Sequence, residues 1–384
     1  MRERIALKVQ RRRYAREAVD EIEVYQRLRE SSEVCPEIIN LREAFLYDAH
    51  ICLAFDRHGN SLCEALERGP LPPARVRRAA GQILTALDHL HRAGYTHTDI
   101  KPDNILYRPR FGDARLADLG DAERRLEQGI LYGTREYTAP EMILGAPLQP
   151  SIDIWSLGCT VFEMLTDRLL FDPRAAAAKK YQEFSWRGKP LPLSAAALKD
   201  DAEEEAEQLA RGTIVAGKYR LEKPLGRGRF GTTWTAVQLD NVSLDCSGKI
   251  LQGSWRELAP PRKPRTRRET QERKWRHKKG ADDIVDLALN YEQLLLIVAM
   301  CGMFPREMID SARFRGSYFE NDGALRFRPT VGRASLRDRL RRGSALRGRS
   351  LDLATDFLKG CLTIERARRF TPTVALAHPW LSGV

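Results

Sequence analysis

The chain is 384 residues long, 30% charged and 42% hydrophobic, with a formal net charge of +12, enough sequence for a sizeable core divided over two or three domains or lobes. Seven scattered cysteines (35, 52, 63, 159, 246, 301 and 361) with no C-x-x-C pair argue against a disulfide framework or a zinc site and for reduced thiols. The start at Met1-Arg2-Glu3-Arg4 shows no signal peptide, and the longest apolar run, 294–304, falls short of the ~20 residues that cross a bilayer. A protein of the cytoplasm and/or nucleus with no membrane partner is expected.

In chain order, residues 4–9 read as a short strand carrying one buried lysine, Lys8, and 14–29 as an amphipathic helix. Two strands follow near 41–46 and 51–55, then a helical segment near 61–66. A helix opened by Pro73 runs to Ala93, with Val76, Ala80, Ile83, Leu84, Leu87 and Leu90 recurring every three to four residues. Residues 152–165 are apolar nearly all round, as in a buried helix. From Arg174 to about Asp282 the character changes. Ala175–Ala178, an acidic run at 200–207 and a basic run at 262–279 suggest an inserted, partly disordered segment, before helical periodicity returns at Ile284. The basic run holds ten Lys/Arg against Glu269 and Glu272. It suits a nuclear import receptor or nucleic acid, or is simply a solvated tract; with Trp275 its one aromatic residue, stacking on single-stranded bases is not supported.

The chemistry is concentrated in His97-Thr98-Asp99-Ile100-Lys101-Pro102-Asp103-Asn104, followed by Asp118-Leu119-Gly120. One loop thus supplies a carboxylate to orient and deprotonate a hydroxyl, an ammonium for a moving phosphate, and an amide oxygen; a second carboxylate comes shortly after. These are the groups that phosphoryl transfer with magnesium requires. Ile5-Ala6-Leu7-Lys8 fits a strand whose lysine holds phosphates, the alternative being an ordinary edge-strand lysine. A buried ammonium needs a partner, and Glu21 on the next helix is the best candidate.

In these motifs the chain resembles the eukaryotic protein kinases, and within them most the SR-protein kinases, which phosphorylate Arg/Ser-rich splicing factors. The narrower likeness rests on Thr98, Asp118-Leu119-Gly120-Asp121-Ala122, Leu169–Pro173, Gly302–Arg306, Tyr318-Phe319 and Gly323–Leu325. The resemblance implies an α+β, two-lobed protein-kinase fold. A small β-rich N-lobe (1–57), incomplete at its N-terminus, would precede a large helical C-lobe (58–173 and 283–384) interrupted by the insertion at 174–282. It also implies ATP and Mg2+ as cofactors and protein substrates as partners. Catalysis would fall to Asp99, Lys101 and Asn104, and the metal to Asn104 and Asp118. Lys8, Glu21, Ala6, Phe55 (as gatekeeper), Leu106, Asp118, Gly226, Gly228 and Gly231 would surround the nucleotide, with Asp56-Arg57-His58 as hinge. Glu141 should pair with Arg369, and Asp153 should brace the catalytic loop.

Three departures stand out. The Gly-rich hairpin expected just before Lys8 lies instead at 218–239, inside the insertion; it completes the small lobe out of order, is a vestigial duplicate, or reflects a misassembled reading frame. About 40 residues on either side give it the reach to dock, at roughly 3.3 Å per extended residue. Thr98 stands where many kinases carry an arginine that clamps a phosphorylated activation segment, so activity should not require that phosphate. Finally, Thr138 follows Tyr137 where related kinases have arginine, and the positions expected to form an acidic docking groove hold Arg168, Glu292 and Ala299. The expected function is ATP-dependent serine/threonine phosphorylation; the alternative is an impaired pseudokinase or scaffold whose glycine loop is displaced.

Overall fold

The sheet of the small lobe draws on two separate stretches of chain. The computed structural model describes residues 3–30, 34–181, 185–186, 189–190, 209–227, 231–239, 281–326 and 335–383. The acidic run at 200–207, the basic run at 262–279 and Gly228 lie outside the described residues.

Strand β1 (Arg4–Gln10) leads into helix α1 (Ala15–Glu30), then β2 (Leu41–Tyr47) and β3 (His50–Asp56). The large lobe begins with α2 (Pro73–Arg92), the hairpin β4 (Ile105–Arg108) and β5 (Asp113–Leu116), and α3 (Ile152–Thr166). Helix α4 (Pro173–Tyr181) precedes the second small-lobe segment, β6 (Ile214–Val215), β7 (Tyr219–Arg227) and β8 (Gly231–Gln238). The chain then returns to the large lobe as α5 (Ala281–Cys301) and, later, α6 (Gly348–Cys361).

The six strands form one sheet in the order β2-β3-β1-β8-β7-β6. β8 runs antiparallel to β1 along its whole length, from Arg4 opposite Val237 to Gln10 opposite Gly231. The other edge of β1 pairs with β3, Ala6 facing Phe55 and Lys8 facing Leu53. The displaced hairpin therefore docks and completes the sheet, and is not a vestigial appendage. Period-two alternation sets which face of each strand is buried. Ile5, Leu7 and Val9 on one face of β1 are buried with Cys52, Ala54, Leu221, Trp234 and Ala236. The sheet curls until Tyr219 on β7 stacks on Phe45 of β2, ring centroids 5.9 Å apart, while Lys218 donates to Glu43 of β2 at 2.8 Å. Without the hairpin, that apolar face and one edge of β1 would be bare.

In the large lobe, α2 starts on Pro73 and carries His89, His91 and Arg92 in its last turn, where cations complement the exposed carbonyls. The six apolar residues that mark its periodicity are all fully buried. α3 is buried nearly all round, as its composition implies. One expectation is corrected. The alanines at 175–178 belong to α4 and not to irregular chain. Asp172 accepts from the Ala175 amide at 2.8 Å, a capping bond, alanine is the strongest helix former, and the helix packs on α5.

Candidate active site

Alternation on β1 sends Lys8 to the face opposite Leu7, towards α1 and the cleft. Its Nζ lies 2.8 Å from Glu21 Oε2 and 2.8 Å from Asp118 Oδ1. Glu21 is sealed, with a side-chain exposure of 1%, whereas Asp118 at 37% opens to the cleft. Burial favours the neutral amine, but Asp118 and Glu21 outweigh it and hold the Lys8 pKa above its ordinary value. Burial also works against charge on Asp118; Lys8 first, then His97 and Lys101, reverse that and leave its pKa low. Burial raises Glu21, and Lys8 opposes the rise. The three groups form a lysine held between two carboxylates, one structural and one facing the cleft.

The loop after α2 is braced from below. Asp153, fully buried in the first turn of α3, accepts from the His97 and Thr98 amides at 2.8 Å each, and His91 Nε2 meets the same carboxylate at 2.8 Å. This brace holds Thr98 at φ 72, and His97 Nε2, 3.1 Å from the Ala117 carbonyl, ties the loop to the segment where Asp118 sits at φ 59. Left-handed backbone at non-glycine residues is strained and persists only where its surroundings enforce it.

Above the brace, Thr134 donates to Asp99 Oδ1 at 2.8 Å and accepts from Lys101 Nζ at 2.7 Å, while Lys101 also lies 2.8 Å from Asp99 Oδ2. Asn104 donates through Nδ2 to the Asp99 carbonyl at 2.8 Å and to its carboxylate at 3.0 Å, which leaves Oδ1 for a cation. Among the described residues no group of three or more His, Cys, Asp or Glu could hold a metal by itself. Asp118 and Asn104 offer hard oxygen donors of the kind magnesium takes, and two protein ligands suffice when phosphate oxygens and water complete the shell. The residues present thus fit the metal–nucleotide pair.

Of the remaining expected site residues, Ala6 and Leu106 are half-buried, and Phe55 is buried with its ring 5.6 Å from Tyr25. Gly226 and Gly231 flank the hairpin tip, but for different reasons. A Cβ on Gly226 would meet nothing within 4 Å, whereas one on Gly231 would stand 2.1 Å from the Val9 carbonyl. Gly231 is thus required by the close approach of β8 to β1. Two residues escaped the sequence reading. Thr134 joins Asp99 to Lys101, and a Cβ on Gly133 (φ +71) would stand 2.3 Å from the Thr98 carbonyl. The Gly133-Thr134 pair shortly before Tyr137 was the available signal.

Glu141 and Arg369 are paired at 2.6 and 2.9 Å with both side chains fully buried. The guanidinium also donates to the Thr363 carbonyl, so its charge is well satisfied. The supposed docking-groove carboxylate Glu292 is 2% exposed, so it offers no acidic surface.

The segment 118–141 is held without phosphate. Thr98 Oγ1 donates to the Asp121 carbonyl at 2.9 Å, and Thr96 and Glu123 exchange backbone bonds. Each hydroxyl side chain in the segment is engaged: Tyr132 accepts from the Glu127 amide, Thr134 bridges Asp99 and Lys101, Tyr137 donates to Glu163, and Thr138 donates to the Thr134 carbonyl. Phosphatase-treated protein is therefore expected to keep its activity. A large loss on treatment, restored by autophosphorylation, would show that a phosphate is needed.

Glu163 supplies a pH-dependent term. Burial, then the neighbouring Asp103, Asp167 and Glu136, raise it to about 7 against the pull of the Tyr137 hydroxyl. The folded protein then binds a proton that the unfolded chain releases near pH 4.5, so this group's contribution to stability falls as pH rises from about 4.5 to 7. Glu163→Gln should remove that loss, on the order of 2 kcal/mol. Thermal unfolding of variant and wild type at pH 4.5 and 8 checks this: the variant should gain relative stability at pH 8, and an equal difference at both pH values would contradict it.

A two-lobed fold with this lysine–carboxylate chain and catalytic loop defines a protein kinase domain. The profile of that family, described as "Protein kinase domain", matches residues 2–214, and the chain belongs to it. Among curated proteins, the chain is 34% identical over 179 residues to dual specificity tyrosine-phosphorylation-regulated kinase 3 of Rattus norvegicus, covering 44% of this chain and 30% of that protein. It is 32% identical over 200 residues to serine/threonine-protein kinase AFC3 of Arabidopsis thaliana (44% and 50%) and 34% identical over 166 residues to serine/threonine-protein kinase prp4 of Schizosaccharomyces pombe (41% and 35%). The match thus spans between about a third and a half of these relatives' length.

Proposed function

We propose that the protein transfers the γ-phosphate of ATP to serine or threonine hydroxyls of protein substrates. The observation that carries this reading is the Lys8 ammonium held 2.8 Å from both Glu21 and Asp118, above a loop in which Asp99, Lys101 and Asn104 are mutually hydrogen-bonded. Magnesium, when bound with the nucleotide, would neutralise phosphate charge and orient the terminal group. Lys8 would bind the inner phosphates, Asp118 and Asn104 would hold the metal, and Lys101 would stabilise charge on the moving phosphate. Asp99 would orient the acceptor hydroxyl and take its proton.

The substrate class is proposed as Arg/Ser-rich protein segments of the kind found in splicing factors. Support comes from two exposed carboxylates close to the catalytic loop, Asp103 and Asp167, both near enough to Glu163 to act on it; a basic substrate complements them. The pseudokinase alternative rested on displacement of the glycine hairpin, and with that hairpin paired to β1 its premise is gone. Transfer of radiolabel from ATP to an Arg-Ser peptide, with Asp118→Ala as control, tests the proposal. Label on serine, lost in the variant, supports it; no label on the peptide, or equal label with Asp118→Ala, would contradict it.

A further inference from the structure

Behind the Lys8 ion pair, two buried polar atoms lack partners. Glu21 Oε1 and the Tyr25 hydroxyl are both sealed from solvent and neither has a hydrogen-bond partner among the described residues, although Glu21 Oε2 is engaged by Lys8. The two residues stand four apart on α1, so their side chains share one face of the helix. One atom is an acceptor in need of a donor, the other a donor in need of an acceptor. Leaving either unsatisfied in a buried site is costly, and one water between them satisfies both. Burial, then the charges of Glu21 and Asp118, keep the hydroxyl protonated, which also places it within the field of those carboxylates. Its ring is fixed by packing against Phe55, and the far side of the site is closed by Gly120, where a Cβ would lie 3.5 Å from both Asp118 Oδ1 and Glu21 Oε2.

We propose that one buried water, accepting from the Tyr25 hydroxyl and donating to Glu21 Oε1, links the two, so that Tyr25 acts as a positioning residue for the Lys8 ion pair. The inference rests on reading that pair as the phosphate-binding group. With one carboxylate oxygen on Lys8 and the other tied to Tyr25 through that water, Glu21 is held at both ends. Lys8 then meets the nucleotide at a fixed place and does not follow a mobile carboxylate. The helix, the gatekeeper strand and the phosphate site become one coupled unit.

The test uses the full chain and ATP with Mg2+ as probe. Tyr25→Phe keeps the ring against Phe55 and removes only the hydroxyl. The Kd for ATP should rise about 3- to 10-fold, as for loss of one ordinary hydrogen bond. KM for ATP should follow while kcat stays within about 2-fold, because the lysine grips ground state and transition state alike. Tyr25→Leu should change Kd equally and also lower Tm, separating hydroxyl from packing. A wild type that binds ATP while Tyr25→Phe binds it equally well would overturn the inference. A wild type that binds no ATP would overturn the nucleotide reading instead. The inference is then decided by thermal unfolding of Tyr25→Phe, Glu21→Gln and the double variant: non-additivity of about 2 °C or more supports the bond, and additive shifts overturn it.

Discussion

Asp99→Asn is expected to lower turnover by roughly 10²–10⁴-fold while leaving ATP binding largely intact. Thr134, Lys101 and Asn104 donate to the carboxylate at 2.8–3.0 Å, and the asparagine keeps the size of the side chain with one oxygen that can still accept from Lys101 and Asn104. It cannot take a proton, and the negative charge that faces Lys101 is gone. In the proposed reading Lys8 and Asp118 serve ATP binding, and Lys8 pairs with Glu21 and Asp118 rather than with Asp99. Steady-state phosphorylation together with a nucleotide-binding titration separates the two effects. Equal turnover in variant and wild type would remove Asp99 from its assigned role.

Deleting residues 214–242 should raise the KM for ATP and unfold the small lobe. The deletion removes Val215, Tyr219, Leu221, Trp234 and Ala236 from a buried cluster. At about 1.5–3 kcal/mol for each large side chain, the loss is of order 10 kcal/mol, comparable with the whole stability of a domain. It also strips every hydrogen bond from one edge of β1, the strand that carries Lys8. Trp234→Ala is the milder version, since it opens a cavity and leaves the backbone pairing, at a cost of about 3–5 kcal/mol. Thermal unfolding and ATP kinetics of both variants provide the check. A silent deletion would mean that the hairpin takes no part in the nucleotide site.

Much of the site was legible because its signals are local. The spacing of Asp99, Lys101 and Asn104 lies within one loop, and the periodic apolar residues of α2 announce the helix that delivers it. The Lys8–Glu21 pair could be inferred because a buried ammonium demands a carboxylate and the next helix offers one on its inner face. Docking of the hairpin could only be offered as one of three explanations. Pairing of 231–238 with 4–10 joins segments more than 200 residues apart, and alternation on each strand says which face is buried but not which strand lies beside it. The same limit hid Thr134, whose hydroxyl matters only once the segment folds back over Asp99. Glu292 was read as a groove carboxylate from its position in the chain, yet burial, which depends on neighbours in space, removes it from the surface. Helix α4 was masked by the polar composition that follows it.

Amide hydrogen exchange, followed peptide by peptide with and without ATP and Mg2+, tests most directly that one kinase site is assembled from β1 and the out-of-order hairpin. Peptides covering 4–10 and 231–238 should be protected to a similar degree in the free protein, since each strand holds the other's hydrogen bonds. Both should exchange more slowly still when nucleotide is added. Exchange of 231–238 at the rate of unfolded chain, or protection that does not respond to ATP, would contradict the account.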